Sequence, residues 1–366
     1  MAGSYSLIPA YLGLLQRSDE GTLCSMEQND EPEGSTRFKY CFVAYGASVA
    51  GYAFMRKVVV VDGTSMKGKY GGCLLSAAAQ DGNFQIFPLA FAVVDSENDN
   101  AWKWLFQKLS TFVSDCPELV FISDRHASIY TGLRKVRTIP FTNTCNAMAR
   151  SDIYIAIPFS TPFDPTIFVT GFTHWTRAHF KGQRYNIMDS NIAKSWNGAI
   201  KEAREYPLIM MLEYIRTTVM GWLALRRAKA NDEKGTLTPN VRKLVEENYD
   251  LSTALAVRDI SELGFQVQDP RGECFTVNLA VGSCSCREYD EIGIPCPHAL
   301  AASSKVGFPS DAMVAPAYRV PTWRQGFAGN IYPVPSVGRS QVGSYTTAEL
   351  LPLQSADHLD VLGRFA

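Results

Sequence analysis

The stretch Val58-Val59-Val60-Val61-Asp62-Gly63-Thr64 decides the fold. Four β-branched residues in succession read as a strand buried on both faces. The run stops at an acid followed by glycine, and a carboxylate at the mouth of a buried strand is costly unless something uses it. Leu119-Val120-Phe121-Ile122-Ser123-Asp124 repeats the design. Two buried strands that each end in Asp set two carboxylates side by side at one end of a sheet, an arrangement suited to divalent metal and phosphoryl transfer.

Working outward, the pattern predicts strands at 57–61, 72–79, 85–94 and 119–123, with Asp81-Gly82 as a hairpin turn whose central residues need positive φ. Ser96 to Asn100 offers helix caps, and Ala101, Leu105, Leu109 and Phe112 recur at helical spacing. A strand order of 3-2-1-4, closed by this helix as a crossover, brings Asp62 beside Asp124. That is a ribonuclease-H-like α/β core. Residues 1–50 read as a segment leading into it: a short helix at 7–15, a polar loop, and an edge strand from the alternation of Phe38, Tyr40 and Phe42. Residues 137–171 show no pattern. Residues 172–188 mix bases and aromatics. From 190 to 230 the spacing is helical and broken at Pro207, with Arg226, Arg227 and Lys229 read as complementing the helix dipole.

The bulk numbers narrow the function. A chain of 366 residues holds two or three domains, and 46% apolar content is ample for a core. A formal net charge of -1 excludes a chain that is basic throughout, so any nucleic-acid contact rests on local patches. The sequence shows no apolar run near the roughly 18 residues of a membrane span and no secretory leader, so a soluble intracellular protein without membrane contact is expected. Nine cysteines are present, and three of them cluster.

That cluster is Cys284-Ser285-Cys286, nine residues, then Cys296-Pro297-His298. Three thiolates and an imidazole form a closed tetrahedral zinc set, which makes the zinc structural rather than catalytic. The alternation of 264–280 predicts a hairpin that presents the first pair, and a short helix follows the second. Beyond Lys305 the chain is rich in Pro, Gly and Ser, and 307–366 is expected to be a largely disordered tail.

The Cys-x-Cys-x(n)-Cys-x-His pattern resembles the SWIM zinc finger. The segment VVVVDGTSMKGKYGGCLLSAAAQDGNFQIFPLAFAVVDSENDNAWKWLF, with FISDRHASI after it, resembles the transposase domain of plant Mutator-like elements. The resemblance extends over residues 38–136 and 172–305, and YRVPTWRQGF after the finger fits the same family. It implies a nuclear protein whose ribonuclease-H-like core has a first half at 51–136, a shortened insertion at 137–171 and a helical second half at 172–235, followed by a small ββα SWIM finger at 260–306. It implies DNA as a partner, protein partners through the finger, and an Asp-Asp-Glu triad with magnesium. Asp62 matches the first acid and Asp124 the second. The third lies in a Ser-Asn-Ile-Ala-Glu-Ser motif, which here reads Ser190-Asn191-Ile192-Ala193-Lys194-Ser195. The family's Cys-x-x-His is here Cys145 followed by Met148. An ammonium where a cation ligand belongs repels the metal, and neither Glu202, Glu205 nor Asp189 is expected to take its place. The sequence therefore favours a transposase-derived binding protein in which Lys194 has silenced the triad; an active magnesium-dependent transposase or nuclease is the alternative. Lys67, Lys69, Arg125, Arg177, Lys181 and Arg184 are the candidate DNA contacts.

Overall fold

The computed structural model describes residues 5–32, 35–69, 71–114, 116, 119–123, 126–136, 152–153, 185, 187, 191–335 and 350–353. Its centre is a mixed sheet. β1 (Leu23–Asp30), β2 (Thr36–Ala44), β3 (Val58–Ser65), β4 (Cys73–Gln80), β5 (Ile86–Val94), β6 (Val120–Ser123) and β7 (Asp152–Ile153) lie in the order β1-β2-β5-β4-β3-β6-β7. The run β5-β4-β3-β6 is the order expected from the pattern, with β6 parallel to β3 in the register Val58↔Val120 to Val60↔Ile122. All four valines of β3 are fully buried. Val58 and Val60 pack with Val120, Ile122 and Ala193 on one face. Val59 and Val61 join the main core on the other.

Early in the chain, α1 (Ile8–Ser18) and α2 (Gly46–Gly51) flank the first two strands. The polar loop expected before residue 36 is in fact strand β1, antiparallel to β2 from Leu23↔Ala44 to Asp30↔Thr36. Its ladder is made with a distant partner, so its own polar sequence gives little sign of it. β2 is accordingly interior rather than an edge, with β1 on one side and β5 on the other. The Asp81-Gly82 turn is present, but positive φ falls on Phe84 (62°) instead. The Asp81 carboxylate accepts the Asn83 and Gln85 amides at 2.9 and 2.7 Å, and this side-chain turn replaces the two-residue form.

α3 (Asp99–Leu109) starts at Asn98, whose side chain caps the Asn100 and Ala101 amides. α4 (Ala127–Val136) packs against it. On the other side of the sheet α5 (Asn191–Ala199) leads through a 3-10 turn, Glu202–Glu205, into α6 (Leu208–Asp232). α6 is long and apolar enough, by length and composition alone, to cross a membrane, a run that the sequence reading passed over. Its Leu208, Met211, Leu212, Ile215, Val219 and Leu223 are core residues. Arg226 and Arg227 do not serve the helix dipole. Arg226 reaches the Ile86 carbonyl, and Arg227 holds the carbonyls of Phe327 and Gly329.

α7 (Pro239–Ser252) connects to a second sheet, β8 (Ala256–Asp259), β9 (Gly264–Gln268), β10 (Cys274–Asn278) and β11 (Ser283–Cys284), then α8 (Glu288–Ile292) and α9 (Pro297–Val306). The tail departs from expectation. Residues 307–335 fold back as two 3-10 turns and α10 (Val320–Gly326), with Trp323 donating to Asp81 at 2.9 Å and Phe327 edge-on to Phe87. β12 (Leu350–Leu351) runs parallel to β2. A Pro- and Gly-rich composition hid three buried aromatics, Tyr318, Trp323 and Phe327.

Arg56, only 1% exposed, joins the β4–β5 turn of the first sheet to the 3-10 turn Pro316–Tyr318. Its guanidinium lies over the rings of Phe84, Tyr185 and Tyr318 at 5.1, 5.3 and 6.0 Å and donates to the Tyr185 carbonyl. Among the described residues its Nε and Nη2 have no hydrogen-bond partner, so the aromatic faces carry much of the charge's stabilisation. Tyr318 in turn donates to the Ile292 carbonyl at 2.6 Å, and Tyr185 N–H donates to the Glu291 carbonyl.

Candidate functional site

Two regions carry the chemistry that the sequence points to. In the first, β10, β11 and the start of α9 bring Cys284, Cys286, Cys296 and His298 together, their ligand atoms all within 4.8 Å of one another. A tetrahedral zinc with Zn–S near 2.3 Å sets its sulfurs roughly 3.8 Å apart, so the quartet is close to the size an ion needs. The backbone explains how it forms. The Ser285 amide donates to Thr276 and the Thr276 amide to the Ser285 hydroxyl, which pins the first pair to β10. Asp290 accepts the Cys284 amide at 2.9 Å. Arg287 turns the chain at φ 67°, its amide bonded to the Cys284 carbonyl. Cys296 stands at the N-cap position of α9, and the His298 ring stacks on Phe275 at 3.9 Å. Hydrogen bonds from Cys284 and Cys296 pull the Cys286 thiol far down, while the contact with Cys286 pushes Cys284 up to about 12 against the opposing effect of Cys296, and the contacts with Cys284 and Cys286 push Cys296 higher still. Thiols this close hold a shared negative charge that a cation neutralises.

The second region is the C-terminal end of β3. Asp62 is 7% exposed, and its Oδ2 accepts a 3.0 Å hydrogen bond from Asn197 Nδ2. The buried Ser76 hydroxyl lies 3.0 Å from Asn197 Oδ1 and 3.3 Å from the Asp62 carbonyl. α5 presents Ala193, Trp196 and Asn197 to the sheet, the helical i, i+3, i+4 spacing of a packed face. Lys194 falls on the exposed arc of the same helix, and Glu202 and Glu205 are exposed on the 3-10 turn. Asp124 and Asp189 lie outside the described residues, as do Cys145, Met148, Arg125, Arg177, Lys181 and Arg184.

Glu97, in the turn just before α3, is a described carboxylate that approaches β3. A Cβ on Gly63 would stand 2.7 Å from its carboxylate carbon, so only glycine leaves room there unless Glu97 shifts. Asp62 and Gly63 are successive strand residues and face opposite sides of the sheet, which puts Glu97 across the sheet from Asp62. Glu97 is engaged by Trp102 Nε1 at 3.2 Å and lies 3.8 Å from His126 Nδ1. Among the described residues, the group of three or more Cys, His, Asp or Glu side chains placed to share one ion is the Cys284 quartet.

Of the candidate DNA contacts the described residues include Lys67 and Lys69, both exposed in the loop after β3. The Lys67 amide donates to the Arg204 carbonyl, and the Arg204 guanidinium reaches Thr64 and Ser65. With exposed Lys201 nearby in sequence, this end of the sheet is rich in bases, interleaved with Glu202 and Glu205. Sequence reasoning missed Asn197, Ser76 and Arg204. The signal for Asn197 was available: with Ala193, Trp196 and Ile200 it completes an i, i+3, i+4, i+7 stripe.

No curated protein and no solved structure matches the chain. Residues 58–147 match the MULE transposase domain model, and residues 275–307 match the SWIM zinc finger model. The first match covers β3 through α4, which makes that segment similar to the MULE transposase domain, and the second covers all four residues of the quartet and supports zinc binding there.

Proposed function

We propose that the protein is a transposase-derived nuclear protein that holds one structural zinc in Cys284, Cys286, Cys296 and His298, binds DNA, and does not perform strand transfer. The ribonuclease-H-like reading of the core is part of this proposal, supported by the order β5-β4-β3-β6 with Asp62 at the end of β3. The observation that carries the loss of catalysis is at α5. The position matched to the third acid is an exposed lysine, and the helix meets Asp62 through the neutral amide of Asn197 instead. Zinc, when bound, neutralises the clustered thiolates and ties β10, β11 and α9 together. DNA is the favoured partner because Lys67, Lys69 and Lys201 stand exposed around the Asp62 end of the sheet. Lysines there position a phosphate backbone without reading sequence.

The test is one protein in two assays. Anisotropy with a duplex oligonucleotide should give binding that weakens steeply with salt and loses about two phosphate contacts in salt slope in Lys67→Gln/Lys69→Gln. Incubation of the same sample with DNA and Mg²⁺ or Mn²⁺ should yield neither nicks nor joined ends. Cleavage that Asp62→Asn abolishes would establish the alternative, an active DDE enzyme; salt-independent or absent DNA binding would redirect the search to protein partners of the finger.

A further inference from the structure

β2 outruns its neighbour. Its ladder to β5 covers Cys41 to Val43, opposite Val93 to Phe91, and β5 ends at Val94. β2 itself begins at Thr36. One edge of β2 is paired with β1 along the strand, so beside residues 36–39 the other edge has outlasted its β5 partner. Such an edge is a template for a further strand. β12 takes the place, with Leu350 against Thr36 and Leu351 against Arg37 in parallel. The place has the parts of a peptide seat. Arg37 Nε is held by Glu31 at 2.6 Å, and its Nη1 donates to the Pro352 carbonyl at 2.8 Å. Leu350 and Leu353 are buried in the main core, while Leu351 and Pro352 are half-buried. Leu353 enters a hole over Gly72, where a Cβ would stand 2.8 Å from Leu353 Cδ1 and 2.7 Å from the Val94 carbonyl oxygen. A cavity of about 290 Å³ adjoins Leu353, lined in part by Lys39, Asp95 and Ser96.

Backbone pairing holds any extended chain at such an edge, and side-chain holes select which one. Here the selection is for an apolar residue at each end of a four-residue segment, with proline third. Proline suits that position: it has no N–H to continue the ladder, and its carbonyl is what Arg37 takes. We propose that the β2 edge at residues 36–39 is a peptide-docking slot, that Leu350 to Leu353 is its occupant in cis, and that its partner is an extended segment of another protein with the same apolar-apolar-Pro-apolar pattern. The chain's own segment is then the competitor that such a partner displaces. The slot uses no residue of the zinc quartet or of the candidate DNA contacts, so it adds a protein-facing surface to the function proposed above and does not depend on it.

The experiment uses the full zinc-loaded chain and, as probe, a fluorescein-labelled peptide of residues 346–357 followed by anisotropy. Leu350→Asp/Leu353→Asp empties the slot in the intact chain, and this variant should bind the peptide saturably. The natural chain should bind it about tenfold more weakly or less, because a segment on the same chain competes at high effective concentration. Leu353→Ala should fall between the two, which keeps the test decisive where the double variant unfolds. A peptide carrying Leu353→Asp should bind about tenfold more weakly, as should the natural peptide to the emptied chain with Arg37→Ala added. Equal affinity for the natural chain and the emptied variants overturns the slot, as does indifference to the peptide's Leu353→Asp. So does absent binding to a double variant, or to Leu353→Ala, whose zinc content and Tm match the natural chain. Loss of the salt-dependent DNA binding tested above would sink the functional reading while leaving the slot intact.

Discussion

The zinc quartet and the Asp62 end of the sheet are both polar sites at strand ends, and they are built in opposite ways. The quartet draws its four ligands from fifteen consecutive residues, with turns between them set by Arg287 and Gly293 in left-handed backbone. The Asn197–Asp62 hydrogen bond joins residues 135 apart in the chain. The first is complete as a motif before anything else folds and lacks only its ion. The second exists only once α5 has docked. A local site keeps its chemistry as long as its own few residues survive, whereas a dispersed site can keep its most recognisable acid and change its function through a residue on another element.

The sharpest way to break this comparison is to remove the zinc. Structural zinc contributes on the order of 10 kcal/mol to the folding of a small module, so Cys296→Ser should abolish zinc binding and unfold β8 through α9. Hydrogen exchange should lose protection there while β3 and β4 remain protected. Retention of protected β9 and β10 without zinc would mean that Phe265, Val267 and Val277 hold that sheet unaided.

Next in size is the junction. Arg56→Ala deletes a buried side chain from between Phe84, Tyr185 and Tyr318, and large-to-small changes of this kind cost about 2–5 kcal/mol. Arg56 also couples the regions, through Tyr318 to the Ile292 carbonyl beside the metal loop. Chelation should therefore raise exchange at the Asp81–Gln85 turn in the natural chain and leave it unchanged in Arg56→Ala, measured as the difference between the paired samples.

These expectations divide along the line between what the sequence disclosed and what it hid. Val58 to Val61 announce β3 because burial on both faces leaves no polar position in the run. The Cys and His spacing announces the finger because its ligands are neighbours. β1 has the sequence of a loop, since Ser25, Glu27 and Gln28 are polar, and its strand state comes from a ladder to β2. The tail has the composition of a disordered segment, yet Trp323 is fixed by Asp81, 242 residues away. Lys194 drew attention because a motif contained it, whereas Asn197 owes its place to packing.

Asp81 tests the hidden class at intermediate cost. Its Oδ1 takes two backbone amides and its Oδ2 takes Trp323. Asp81→Asn turns an amide donor onto one of those donors, a mismatch worth about 1–3 kcal/mol in a chemical melt. Burial raises the Asp81 pKa above its ordinary value, against the opposing effect of the Gln85 and Trp323 hydrogen bonds. A raised carboxylate pKa means that the folded chain holds a proton the unfolded chain has released. This group's contribution therefore falls as pH climbs from the ordinary carboxylate range through the raised value; that slope should be absent from Asp81→Leu and so stand alone in the natural-minus-variant difference. Glu213, lowered by the Arg216 and Tyr11 hydrogen bonds despite its burial, slopes the other way, so only the difference isolates Asp81.

The smallest effect belongs to the residue that looks most damaging in the sequence. Lys194 is exposed on α5, and an exposed substitution without partners changes stability by no more than about 0.5 kcal/mol. Lys194→Glu should leave Tm and zinc content unchanged. It should not confer DNA nicking, because a carboxylate there starts from the exposed arc of the helix. Nicking gained by Lys194→Glu alone would mean that α5 rolls on its axis when DNA or metal arrives and exchanges position 197 for 194 at the acid.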